Sequence, residues 1–357
     1  MATSASPGRL ENISPKAYEH PADRAATAAL ASIPMLDKVA NYLVEYGYER
    51  RFRQSLLGGA IKISERQLPD VWSAYLGVLE TLDMDEVYDL YLTNEPIGSA
   101  MAVGSGKPVV VVGSRLVSML DPDEMRTVLA HEAAHILSGH VRYRTALEII
   151  LMVSATLRLP FIAGVPLIAI RAALLEWARA TELSSDRAAT LVNRDPLVTC
   201  RTLMSLAGGV RSDRLDLDAF LAQAEEFEKP TDNFDRISRH LLQSRVGHPI
   251  IVRRCREIQA WVQSGDFDRI VSGDYVRRGS EPPVRVEASA AAEDYSRRFA
   301  DIFRDAVEAM QGLTEQLGAV MQKGGQVAGG FMQKGGQTIG DWLRGTKPPP
   351  DHDGDSQ

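Results

Sequence analysis

The sequence has little cysteine, no long uninterrupted apolar run and no excess of positive charge. Its 357 residues include two cysteines, Cys200 and Cys255, far apart and outside any Cys-x-x-Cys pattern. No disulfide framework is implied, a reducing compartment fits best, and a cytoplasmic location is expected. The net charge is −7. A nucleic-acid binder would carry a basic footprint, so no nucleic-acid partner is expected. The opening stretch MATSASPGRLENISPKAYEHPADRAA holds no apolar core of the kind a secretory signal needs. The most apolar region, residues 147–175, is divided by Arg158, Pro160, Pro166 and Arg171. Its runs of about a dozen residues are shorter than the ~20 that span a bilayer. Buried core helices and a segment lying on a membrane surface both fit runs of that size.

What is present reads as a mostly α-helical α+β chain. Residues 1–20 lack periodicity and are expected to be disordered. Residues 21–85 read as helical: Leu36, Val39, Leu43 and Tyr46 share one face, and a second helix from Pro69 carries Val71, Tyr75, Val78 and Leu82. The period then shortens. VYDLYLT (87–93), GSAMAVG (98–104) and PVVVVG (108–113) are short runs between turn residues, which predicts a small antiparallel strand meander. Asp121-Pro122-Asp123-Glu124 is a helix start, with Asp121 as N-cap, Pro122 in the first turn and Glu124 closing a capping box. That helix should run to Gly139 or His140. Two or three more helices follow over 145–193, and others over 200–265. The main domain is thus placed at 21–275, with a core at 86–275, and a linker at 276–290. An amphipathic helix and a Gly-rich repeat occupy 291–345, and a disordered tail 346–357. The repeat, MQKGGQ at 321–326 and 332–337, has a period of 11 residues, which keeps one helix face apolar. Its glycines disfavour helix by about 1 kcal/mol each relative to alanine, so a flexible tether fits equally well.

The helix after Asp121 carries three of the chain's seven histidines. His131-Glu132-Ala133-Ala134-His135 is HExxH. On a helix, positions i and i+4 lie one turn apart on one face, so both imidazoles can reach one Zn²⁺. Glu132 points about 100° away from His131 and can act as general base toward a water held by the metal. His140 lies five residues after His135, about 140° round the helix, and is not taken as a ligand. A catalytic zinc needs a third protein ligand. The candidate is Glu182 in TELSSD, with Asp186 one turn on and able to accept a hydrogen bond from a liganding imidazole. An ordinary acidic helix face beside Arg179 and Arg187 is the bland alternative.

DPDEMRTVLAHEAAHILSGH followed by ELSSDRAA resembles the gluzincin metallopeptidases that include the CAAX prenyl protease and the bacterial protease HtpX. The resemblance covers roughly residues 87–261. It implies a zincin-like fold, one Zn²⁺ per chain held by His131, His135 and Glu182, Glu132 as catalytic base and Asp186 behind the ligands. The family's His-Pro and following arginine match His248-Pro249 and Arg254, which would stabilise the oxyanion or position the substrate carbonyl. A helix-start role is the alternative for His248. Where relatives carry Asn-Ala on the strand before the motif, this chain has Ser99-Ala100. That strand, with Met101, would pair with an extended peptide.

Two functional classes result. One is a zinc metalloendopeptidase acting on proteins or peptides. The other is a non-proteolytic zinc-containing module that binds protein or a membrane surface through 147–175 or the C-terminal repeat. Structural zinc sites are usually closed by four protein ligands, and only three credible ones are present, which favours catalysis.

Overall fold

A computed structural model of the chain describes residues 8–31, 40, 49–94, 100–156, 161–228 and 250–281. Helices α1 (Pro21–Ala31) and α2 (Glu49–Gly59) precede strand β1 (Ile61–Lys62) and helix α3 (Pro69–Thr81). Strands β2 (Asp89–Thr93), β3 (Ala100–Val103) and β4 (Val109–Gly113) follow, then the short helix α4 (Ser114–Met119). The rest is helical: α5 (Pro122–Leu137), α6 (Val141–Thr156), α7 (Phe161–Asn193), α8 (Pro196–Gly208), α9 (Leu217–Glu228), α10 (Ile251–Gln263) and α11 (Asp266–Val271). Of the residues marked out from the sequence, Leu36, Val39, Leu43, Tyr46, Ser99, His248 and the segment from 291 to the end lie outside the described residues.

The sheet is mixed, with strand order β1-β2-β4-β3, and not the antiparallel meander expected. β2 pairs parallel with β4, while β1–β2 and β3–β4 are antiparallel. The valine run of β4 explains the difference. All of Val109–Val112 are buried, which requires cover on both faces and a central position. β3 is therefore displaced to the edge, joined to β4 by a turn in which Gly104 takes φ +128°.

Residues 8–20, expected to be disordered, are instead packed. Leu10, Ile13 and Tyr18 are buried in the main core beside Tyr75, Leu129 and Trp261. The backbone of Ser14 donates to Val276 at 3.0 Å and that of Arg278 to Asn12 at 2.8 Å, so the first residues of the expected linker are tied to this segment. Asp83 gathers the Arg9 guanidinium and the Asn12 amide. An irregular strap carries no helical or strand period, which is why its apolar residues gave no signal.

Of the apolar region 147–175, residues 147–156 lie on α6 and 161–175 on α7, and 157–160 lie outside the described residues. Pro166 falls inside α7, which is continuous from Phe161 to Asn193. Among the described residues no helix is long and apolar enough to cross a membrane.

Helix α5 is the centre of the fold. It packs against α7, α3 and β3. The Asp121 carboxylate accepts from the amides of Asp123 and Glu124 at 3.0 and 2.8 Å, and Glu124 accepts from the Asp121 amide at 3.0 Å. Asp121→Ala is expected to cost about 1 kcal/mol of stability. A urea unfolding midpoint that does not move would show that tertiary packing alone holds the start of this helix.

Candidate metal centre

Small residues let α5 and α7 approach closely. Ala130, Ala133 and Ala134 on α5, and Ser185, Ala188 and Ala189 on α7, are all buried. The larger polar side chains on the same faces then meet. His131, His135 and Glu182 each direct one potential ligand atom into a cluster less than 4.8 Å across. The two Nε2 atoms are 3.1 Å apart. Glu182 Oε2 lies 3.4 Å from His131 Nε2, and Oε1 lies 3.4 Å from His135 Nε2. Donors at zinc distances of about 2.0–2.1 Å in a tetrahedron are separated by about 3.3–3.4 Å, so the set fits a zinc ion.

Each imidazole has its Nδ1 turned away from this cluster and engaged. His131 Nδ1 is 3.1 Å from Asp186 Oδ1. His135 Nδ1 is 3.1 Å from both His140 Nδ1 and Ser185 Oγ. Arg254 forks onto Asp186, donating from Nε at 2.7 Å and Nη2 at 2.6 Å, and its Nη1 lies 3.2 Å from Glu182 Oε2. The oxyanion role expected of Arg254 does not fit this placement. All three of its guanidinium nitrogens face carboxylates, two on Asp186 and one on the candidate ligand Glu182, so it holds both side chains in position.

The charges are mutually dependent. Burial pushes the His131 pKa down, but Glu182 and Asp186 outweigh it and raise it to about 9. Burial and the Arg144 charge hold His135 well below its ordinary value. Burial alone would raise Asp186, yet the Arg254 charge and the His131 hydrogen bond keep it below the usual carboxylate range.

Glu132 is buried and directed at the sheet edge. Its Oε2 accepts from the Ala102 amide at 2.8 Å. By the alternation of an antiparallel ladder, Ala100 also presents its main chain outward, whereas Met101 turns its own toward β4. Of the two residues expected to bind substrate on this strand, Ala100 and not Met101 thus has its main chain turned away from β4. Further along, Thr145 Oγ1 accepts from the Gly104 amide at 3.0 Å.

Three participants escaped the sequence reading. Arg144, on α6, donates to Glu182 Oε1 and lies 3.2 Å from His135 Nε2. Its spacing from His135 matches no pattern used to find it. Asp23, on α1, reaches His140 from outside the segment with motif resemblance, and no sequence signal links them. Thr145 looks like any helical threonine.

The family model described as Peptidase family M48 matches residues 76–262. The chain is 32% identical over 259 residues to the Arabidopsis thaliana plastoglobule-localized metallopeptidase 48, chloroplastic, covering 71% of this chain and 74% of that one. Over 106 residues it is 32% identical to a Protease HtpX homolog of Tropheryma whipplei strain Twist, covering 29% of this chain and 35% of the relative. No solved structure matches the chain.

Proposed function

Since the chain belongs to peptidase family M48 and is a metallopeptidase acting on peptide bonds, we propose that His131, His135 and Glu182 hold one zinc ion and that Glu132 is the general base. The observation that carries this reading is the convergence of those three ligand atoms, on two helices, within 4.8 Å. When bound, zinc would polarise a substrate carbonyl and bring the pKa of a water ligand toward 7.

The chain's own residues do the rest. Glu132 is held by the Ala102 amide through one oxygen, which fixes the plane of the carboxylate. Its other oxygen can take the proton from the attacking water and return it to the leaving amine. Asp186 keeps His131 Nδ1 occupied, and so leaves Nε2 as its ligand nitrogen. The edge strand β3 gives an extended peptide a place to pair through Ala100, beside the base. Such pairing suits a flexible or unfolded segment and supports an endopeptidase. A cytoplasmic location, and peripheral membrane contact through 147–175 or the C-terminal repeat, belong to the same proposal. The chloroplast relative is named for the plastoglobule, which makes attachment to a larger body a reasonable extension.

The test is metal analysis of purified protein together with cleavage of casein. Wild type is expected to hold one zinc per chain, and His135→Ala to lose nearly all of it. Metal-free wild type that cleaves casein in excess chelator would refute the zinc reading.

A further inference from the structure

Behind His135, on the side away from Glu182, a chain of hydrogen bonds leads to the N-terminal helix. His140 places Nδ1 3.1 Å from His135 Nδ1 and Nε2 3.2 Å from Asp23 Oδ2. Asp23 is anchored on all sides: Ser184 Oγ donates to Oδ2 at 2.6 Å and Thr27 Oγ1 to Oδ1 at 3.1 Å. Thr27 in turn accepts from Trp177 Nε1 at 2.9 Å, and the Trp177 ring stands edge-on to His140, with centroids 5.8 Å apart. His135, His140 and Asp23 are all buried.

We propose that Asp23 and His140 form a directional relay that fixes His135 in the tautomer able to bind metal through Nε2, which makes helix α1 part of the metal centre. The reading rests on His135 being a ligand. With His140 carrying a single ring hydrogen, as the relay requires, the direction follows from the donor and acceptor inventory. An ionised carboxylate only accepts, so His140 must carry its hydrogen on Nε2. Neutral His140 then offers a lone pair at Nδ1, which requires His135 to carry its hydrogen on Nδ1. The lone pair of His135 is thereby left on Nε2, the nitrogen that faces His131 and Glu182. Ser185 cannot impose this order, because its hydroxyl can turn to donate or to accept. The arrangement parallels the other ligand, where Asp186 sets His131 directly, with Arg254 behind it. Asp23 and His140 are positioning residues. Asp23 also lies outside the residues that match the family model.

The test uses the full-length protein with zinc alone as probe. Its two readouts are the zinc Kd by chelator competition and the histidine ¹⁵N shifts of metal-free protein. Asp23→Asn keeps size but adds a donor, so it permits the relay to reverse. The expected result is a roughly 10–100-fold weaker Kd, with His135 of the metal-free variant shifting partly to the Nε2–H tautomer. His140→Leu should weaken zinc likewise, while His140→Gln, which can still accept from His135 and donate to Asp23, should bind close to wild type. If His140→Leu does not fold, Asp23→Asn decides on the same readouts. Wild-type affinity and an unchanged tautomer in Asp23→Asn would overturn the relay. So would weaker binding that merely tracks a lowered melting point of the metal-free protein, with the tautomer unchanged. Wild type that binds no zinc would count against the ligand assignment. The ¹⁵N shifts of the metal-free pair would still judge the relay.

Discussion

Glu132→Gln is expected to keep its zinc and to lose peptide hydrolysis by roughly 10²–10⁴-fold, the usual contribution of a general base. The substitution tests chemistry rather than folding. The amide oxygen of glutamine can accept from the Ala102 N–H as Glu132 Oε2 does at 2.8 Å, so the helix and the strand stay joined. Only proton acceptance is removed. Metal analysis and casein cleavage on the same sample separate the two properties. A Gln variant that holds zinc and cleaves at the wild-type rate would rule out Glu132 as the base.

Arg254→Leu should be the most destabilising single change at the site, by about 3–5 kcal/mol, the cost of leaving a buried ion pair without one partner. The Asp186 and Glu182 side chains are each 3% exposed, and Arg254 is 9% exposed. With the guanidinium gone, two carboxylates remain close together in a space that water scarcely reaches. Arg254→Lys should recover only part of the loss, because a single ammonium cannot reproduce the fork on Asp186 while also approaching Glu182. Urea unfolding of metal-free protein checks both. A loss under about 1 kcal/mol for the leucine variant would mean that the carboxylates take up protons or find other partners.

The proposed ligands were legible as a group because helical geometry converts sequence spacing into spatial proximity: His131 and His135 by one turn, Glu182 and Asp186 by another. Asp121 and Glu124 were readable as a cap for the same reason. What could not be read depends on packing between distant segments. Asp23 meets His140 only because α1 lies along α7. Arg254 was noticed, but its direction depends on how α10 docks, and spacing from His248 carries no such information. The parallel pairing of β2 with β4 is a choice among sheet orders that period alone does not make. The valine run of β4 held the clue to its central place. The strap at residues 8–20 had no period to detect.

The outer edge of β3 has a consequence for how copies of this protein coexist. An open strand edge is a template for sheet growth between molecules. Here two amides along that edge are taken within the chain, that of Ala102 by Glu132 and that of Gly104, just past the strand, by Thr145. A visiting strand can therefore engage the Ala100 end but cannot zip along the whole edge. The carboxylate proposed as the general base thus also closes part of an open sheet edge, so one side chain serves both the proposed chemistry and the shielding of that edge.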